Sequence, residues 1–474
     1  VRLVSEGPSP RLNAMCGIVG YVGQRSSSEV LMSGLARLEY RGYDSAGVAI
    51  VSDSGSLVSH KRAGKLGVLA EDLVTSPLES GSTGIAHTRW ATHGAPTDAN
   101  AHPHLADDGK LALIHNGIIE NFHELKEQLV ASGETFSSDT DSEVAAVLLG
   151  IAYRESRDLT QAMMKVVGRL EGAFTLLIVH EDAPGVVVGA RRNSPLVIGV
   201  GEGENFLGSD VAAFVAYTHK ALALGQDQIV TITKDSIDVM SFEGEVVHPP
   251  EFTIDWDASA ADKGGWSSFM AKEISEEPEA VANTLRGRLS PEGEVTIPEL
   301  DSLDVSLIDR VIFIACGTAA YAAMLGAYAM EKWSGIPVTV ELSHEFRYRD
   351  PVVGAGTLVV SVSQSGETMD TLMAVRYANE LGAQTLAICN TQGATIPRES
   401  DATLYTHAGP EVAVASTKAF LSQTIAVYLL GLYLGGHRGV VSAELAAQTA
   451  QDLHNLPDQI QEMVNTGPRI KELA

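Results

Sequence analysis

The chain has 474 residues, with 33 Lys and Arg against 60 Asp and Glu, a formal net charge of −27. Such a charge repels polyanions and argues against nucleic acid as a partner, although helix termini and a few hydroxyls can still hold a small phosphate inside an acidic protein. Hydrophobic residues make up 45% and charged residues 20%, which at this length predicts two to four domains with ample buried core. No run demands a bilayer, so no membrane partner is expected. The nearest candidate, "AFLSQTIAVYLLGLYLGG" at 419–436, carries Ser, Gln and two Tyr and reads as a buried core helix. Three cysteines, Cys16, Cys316 and Cys389, are far apart and odd in number. That fits reduced thiols in a cytoplasmic protein and no disulfide framework.

Residues 1–15 begin "VRLVSEGPSPRLNA", with two arginines but no apolar core segment, so they are not a secretory signal. Met15 stands directly before Cys16. Residues 1–15 are therefore expected as a leader absent from the mature protein, with Met15 the initiator or the leader cleaved before Cys16. Residues 16–234 are β-rich: "CGIVGYVG", "SAGVAIV", "STGIAHT", "KLALIHN", "FTLLIVH", "GVVVGARR", "PLVIGVG" and "QIVTIT" are short strands broken by Gly, Asp and Ser. Helical spacing in "SSEVLMSGLARLEYR" and "DSEVAAVLLGIAYR" interrupts them. So many strands with few helices predict sheets covered by helices. Residues 235–301 are polar and acidic and form a connector, helical over 269–289.

From 302 the period changes. "RVIFIACGT" is a continuous apolar strand followed by a helix, and "GTLVVSVSQSGET" and "AQTLAICN" repeat the pattern. Alternation of this kind through 441 predicts a doubly wound parallel sheet. Residues 442–474 add one polar helix.

The chemistry begins at Cys16. A core cysteine is the ordinary alternative, but if the chain starts at Met15, its removal leaves a thiol nucleophile and an α-amine base on one residue. The blocks "CGIVG", "LEYRGYDSAGVA", "GIAHTRWATHGAPTDANAHPH", "HNGIIEN" and "SDTDSEV" resemble, in order, the glutaminase domain of class II glutamine amidotransferases, and most of all the glutamine:fructose-6-phosphate aminotransferases. The resemblance implies an αββα sandwich of the N-terminal nucleophile hydrolase type. It implies Cys16 as nucleophile, Asn116 and the Gly117 N–H as oxyanion hole, Arg89 and Asp141 on the α-carboxylate and α-ammonium of glutamine, and Trp90 and His93 in a loop that closes over it. On the residues alone, Arg89 could be a surface arginine and Asp141 a helix N-terminal carboxylate. Arg41 matches a buried position near the nucleophile, with a structural ion pair as the alternative. His87, His93, His102, His104 and His115 match no metal-ligand spacing and read as loop residues shaping the glutamine pocket.

In the second half, "VSQSGET" at 362–368 follows a strand and opens a helix, so it can hold a phosphate monoester or serve as ordinary N-capping. With "ACGTAAY" at 315–321 and "VAVASTKAF" at 412–420 it resembles the sugar isomerase (SIS) domain, a doubly wound parallel αβα fold. The resemblance implies fructose 6-phosphate bound through Thr318, Ser363, Gln364, Ser365, Thr368, Val414 and Ser416, with Ala319 standing where many relatives have serine. Cys316 and Cys389 read as core. No "GELKHGP"-like stretch is found, so residues 442–474 are expected as the start of a truncated second isomerase half.

The whole implies a multidomain α/β and α+β enzyme that makes glucosamine 6-phosphate and glutamate from fructose 6-phosphate and glutamine, the first step of hexosamine biosynthesis. It implies channelled ammonia, a homodimer through the isomerase domains, and neither metal nor cofactor. A truncated glutaminase that only binds the sugar phosphate is the alternative. The phosphoribosyl pyrophosphate loop, the SGGxDS-like ATP loop and the iron–sulfur cysteines of other amidotransferases are not in the sequence.

Overall fold

The computed structural model describes residues 16–39, 42–90, 94–256, 263–413, 415–467 and 469–470. They form two compact units, one on each side of residue 258.

The first unit is built on two antiparallel sheets, one of eight strands and one of six. Alternation along the strands decides the layers. In Gly17–Val22, Val19 and Tyr21 pack with Val30, Leu31 and Leu35 of the helix Ser27–Leu38. Ile18 and Val22 face the other way and join Ala112, Ile114, Leu177 and Val179 of the second sheet. The opposite parity of those strands, Leu111, Leu113, Leu176 and Ile178, is covered by the helices Phe122–Ala131, Asp141–Ser156 and Leu159–Val167. Three successive apolar layers thus give helix, sheet, sheet, helix: the αββα sandwich.

Residues 235–301 do not form a separate connector. Ile237–Ser241 pairs with Gln228–Ile232 in the six-stranded sheet and Glu251–Thr253 pairs with Lys220–Ala223 in the eight-stranded one, whereas Val281 and Leu285 of the helix Phe269–Leu285 lie in the core of the second unit. The polar, acidic composition there hides short edge strands, which need only one apolar face.

The second unit is a five-stranded parallel sheet in the order Val338–Leu342, Arg310–Ala315, Thr357–Ser363, Gln384–Cys389, Ala402–Tyr405. Val311, Phe313 and Ala315 face one helical layer, and Ile312 and Ile314 face the other. The continuous apolar run of this strand reflects burial on both faces. The helix Lys418–His437 is long and apolar enough to cross a membrane, and 78% of its apolar window is buried within the fold. Ala450 and Leu453 of the helix Ala443–Asn465 complete the same layer.

Candidate active site

Cys16 immediately precedes the strand Gly17–Val22, whose register with Thr83–Arg89 pairs Gly17 with Thr88. That register brings Cys16 to Trp90. The Trp90 N–H donates to Cys16 Sγ at 3.1 Å, and Sγ lies 3.5 Å from the Trp90 carbonyl oxygen. From the other sheet, Asn116 Nδ2 donates to the Cys16 carbonyl at 2.7 Å. The site therefore sits at the seam of the sandwich, with one donor from each sheet.

His87 orients the Asn116 amide. Its Nε2 is 2.9 Å from both Asn116 Oδ1 and the His115 carbonyl oxygen. Both are acceptors, so Nε2 carries the proton, and Asn116 must turn its NH₂ toward Cys16. Burial holds His87 at about 3, so the ring is neutral at physiological pH. His102 and His104 are also held well below the ordinary imidazole range, chiefly by burial. His102 lies against His87 with ring centroids 4.2 Å apart. The expectation that these histidines are loop residues is corrected for three of them: His87, His104 and His115 are buried strand residues, because their strands run through the sandwich.

Burial also dominates at Cys16, pushing its thiol up to about 11. The Trp90 N–H opposes this, Asp44 adds to it, and Arg89 opposes it. Such a thiol is protonated at neutral pH and needs a base. Gly117, at φ 124°, sits where a Cβ would fall 2.0 Å from the Ala173 carbonyl oxygen, so only glycine fits next to Asn116.

Arg89 is 3% exposed, which removes the surface-arginine alternative. Its guanidinium donates to the Gly94 and Ala95 carbonyls at 3.3 and 3.5 Å. Asp141 is the first residue of the helix Asp141–Ser156, behind the N-cap Thr140, and its Oδ2 accepts the Ile119 N–H at 2.8 Å. The carboxylate is thus tied to the strand bearing Asn116 and Gly117. Asn100 was not singled out from the sequence, yet it joins the segment of Gly94 and Ala95 to that of Asp139. Its Nδ2 donates to the Ala95 carbonyl at 3.0 Å and its Oδ1 accepts the Asp139 N–H at 2.9 Å. Neither bridge carries a local signal, because His87 reaches Asn116 across 29 residues and Asn100 reaches Asp139 across 39. Residues 1–15, Arg41, His93 and Val414 lie outside the described residues.

In the second unit the strand order reverses direction between Arg310–Ala315 and Thr357–Ser363, the switch point at which open parallel sheets bind ligands. Thr318 opens the helix Gly317–Ser334 there and is exposed. Ser363 ends its strand, and its Oγ accepts the Gly366 N–H at 3.0 Å and lies 3.5 Å from Thr368 Oγ1. Ser365 Oγ accepts the Glu367 N–H at 3.2 Å. Gly366, at φ 66°, packs where a Cβ would fall 2.6 Å from Ala394 Cβ. Thr368 caps the helix Met369–Glu380 without a side-chain hydrogen bond, so that N-terminus keeps its capacity for an anion. Gln364 is half-buried beside them. Ser416 is held differently, its hydroxyl donating to Glu411 Oε2 at 2.9 Å.

Cys389 is fully buried, its thiol pushed up to about 12 by burial. The core reading of Cys316 is corrected. It lies one residue beyond its strand, at the N-cap of the next helix, and is half-buried.

The fold and these sites fit an amidotransferase joined to a sugar-phosphate domain, and comparison with known proteins agrees. Residues 74–241 match the glutamine amidotransferase domain family and residues 306–433 the SIS domain family. The glutamine–fructose-6-phosphate aminotransferase (isomerizing) of Leifsonia xyli subsp. xyli is 64% identical over 97% of this chain and 75% of its own length, and that of Streptomyces coelicolor is 56% identical over the same shares. Among solved structures, the C-terminal domain of glucosamine-fructose-6-phosphate aminotransferase from Francisella tularensis aligns at 34% identity with a TM-score of 0.43, covering 45% of this chain and 60% of that one. The chain belongs to the glutamine–fructose-6-phosphate aminotransferase (isomerizing) family.

Proposed function

We propose that the protein converts fructose 6-phosphate and glutamine to glucosamine 6-phosphate and glutamate. The observation that carries this is the Cys16 thiol held on the Trp90 N–H, with the Asn116 amide locked by His87 toward the same residue.

The α-amine of Cys16, free only when Cys16 is the first residue, takes the thiol proton, and the thiolate attacks the glutamine carboxamide carbon. Asn116 Nδ2 has two N–H groups; one is on the Cys16 carbonyl, and the other, with the Gly117 N–H, receives the oxyanion. The C–N bond then breaks, the amine returns its proton to the leaving group, and ammonia departs. Water hydrolyses the thioester to release glutamate. Arg89 takes the glutamine α-carboxylate and Asp141 its α-ammonium, while Trp90 and His93 close the loop, with Trp90 gating ammonia. Ammonia in bulk water at neutral pH becomes ammonium, which is no nucleophile, so a closed path to the ketose carbonyl suits the reaction.

Fructose 6-phosphate binds at Thr318, Ser363, Gln364, Ser365, Thr368, Val414 and Ser416, its phosphate on the hydroxyls and helix N-terminus of the switch point. The chain acts as a homodimer through this unit. Tyr321, Met324, Leu325 and Tyr328 support that reading: they form an exposed apolar stripe at i, i+3, i+4 and i+7 on the helix Gly317–Ser334. Three free thiols support a cytoplasmic setting.

Incubation with both substrates is expected to give glutamate and glucosamine 6-phosphate in equal amounts, and Cys16→Ala is expected to abolish both. Glutamate without glucosamine 6-phosphate would contradict the transfer, and glutamate from the Cys16→Ala protein would contradict the nucleophile.

A further inference from the structure

In the second unit, Cys316, His344 and Asp370 each offer one ligand atom to a cluster in which all lie within 4.8 Å of one another, and each residue is half-buried. The topology explains why residues so far apart in sequence meet. Cys316 follows the strand Arg310–Ala315, His344 follows Val338–Leu342, and Asp370 follows Thr357–Ser363 by way of the loop 364–368. These are three adjacent parallel strands, so the turns at their carboxyl ends converge.

We propose that Cys316, His344 and Asp370 bind a divalent transition-metal ion of the zinc class. Thiolate sulfur and imidazole nitrogen are donors that zinc accepts and that magnesium and calcium avoid. Tetrahedral zinc, with bonds of about 2.0–2.3 Å, places its ligand atoms roughly 3.3–3.6 Å apart. Reaching that size requires the ligand atoms, now within 4.8 Å of one another, to close by roughly 1 Å. Thiolate and carboxylate together match the two positive charges, and three protein ligands leave a fourth position open, as in zinc sites that take an exogenous ligand.

An outer partner is already in place. Thr371 Oγ1 is 3.9 Å from Cys316 Sγ and 2.9 Å from Ser343 Oγ, so a fully buried hydroxyl backs the sulfur. Glu345 Oε1, 3.9 Å from His344 Nε2, is a further nearby carboxylate. An ion here would tie together the turn that carries Thr318 and the first turn of the helix after Gln364–Thr368. The site itself does not depend on the sugar-phosphate reading, and its test uses no substrate.

The test is titration of the chelator-stripped full chain with Co²⁺ alone, followed by absorption. The expected result is one cobalt per chain with visible bands of a tetrahedral site and a near-ultraviolet thiolate-to-cobalt charge-transfer band, bleached by Zn²⁺. The thiol proton is released to the medium as the ion binds. Cys316→Ser should remove the charge-transfer band and Cys16→Ser should leave it. His344→Ala and Asp370→Asn should each weaken binding by at least about 10-fold, and Thr371→Val by about 10-fold. Should a variant misfold, the unmodified chain still decides, because Zn²⁺ should protect Cys316 from alkylation as read by peptide mass. No charge-transfer band, a band that survives Cys316→Ser or disappears in Cys16→Ser, or Cys316 alkylated equally with and without Zn²⁺ would overturn the proposal.

Discussion

The two units build their sites in opposite ways. In the first, Cys16 lies at the seam between two sheets, and the polar groups around it hold one another: the half-buried Trp90 and the buried Asn116 on Cys16, the buried His87 on Asn116. Low dielectric strengthens these bonds and raises the thiol to about 11. In the second, the candidate residues gather about the carboxyl ends of the strands of one parallel sheet, several half-buried or exposed. A desolvated site is preorganised for charge that develops during reaction, whereas an open one suits a substrate that brings its own charge.

The largest effect expected from that contrast belongs to the first unit. Asn116→Ala should lower glutamate release by roughly 100-fold or more, with little change in glutamine KM, because the donor acts on the oxyanion. Steady-state kinetics check this; a change in KM alone would place Asn116 in substrate binding.

In the second unit the expected effect is smaller and of another kind. Ser365→Ala should raise the KM for fructose 6-phosphate by about 10-fold through loss of one hydrogen bond to a charged group, and leave glutamine hydrolysis without sugar unchanged. Equal loss of both activities would break the comparison.

The remaining effect is on stability. His87 is held at about 3 against an ordinary 6.5, and His102 and His104 are lowered in the same direction. Between those values the unfolded chain binds protons that the folded chain refuses. The contribution is therefore fully present above about pH 6.5 and is lost as pH falls, up to roughly 1.4 kcal/mol per imidazole per pH unit. In the second unit, burial raises Glu273 and Glu277 above the ordinary carboxylate value, so these favour folding as pH falls. Calorimetry between pH 7 and 5 should show the first unit's transition falling by several degrees relative to the second's. The reverse order would contradict the neutral-imidazole core.

Legibility in the sequence followed the same division. The strand Gly17–Val22, the helix Asp141–Ser156 and the βα alternation after 302 are readable because one apolar period persists along each. The strand Leu57–Ala63, "LVSHKRA", is half-buried throughout and offers no such period. Local motifs marked Cys16, Asn116 and "SQSGET". The His87–Asn116 bond spans 29 residues, and Cys316, His344 and Asp370 come one each from the starts of the three helices that follow neighbouring strands. Such juxtapositions are set by register and strand order, which no short window of sequence contains.

Cys16 is proposed to work through its own α-amine. A thiol near 11 without that base would gain rate with pH toward 11, whereas an amine base gives a plateau above roughly pH 8. The direct measurement compares glutamine hydrolysis by protein whose intact mass begins at Cys16 with protein still carrying residues 1–15. Activity confined to the Cys16 form is predicted, and comparable turnover by the longer form would contradict the account.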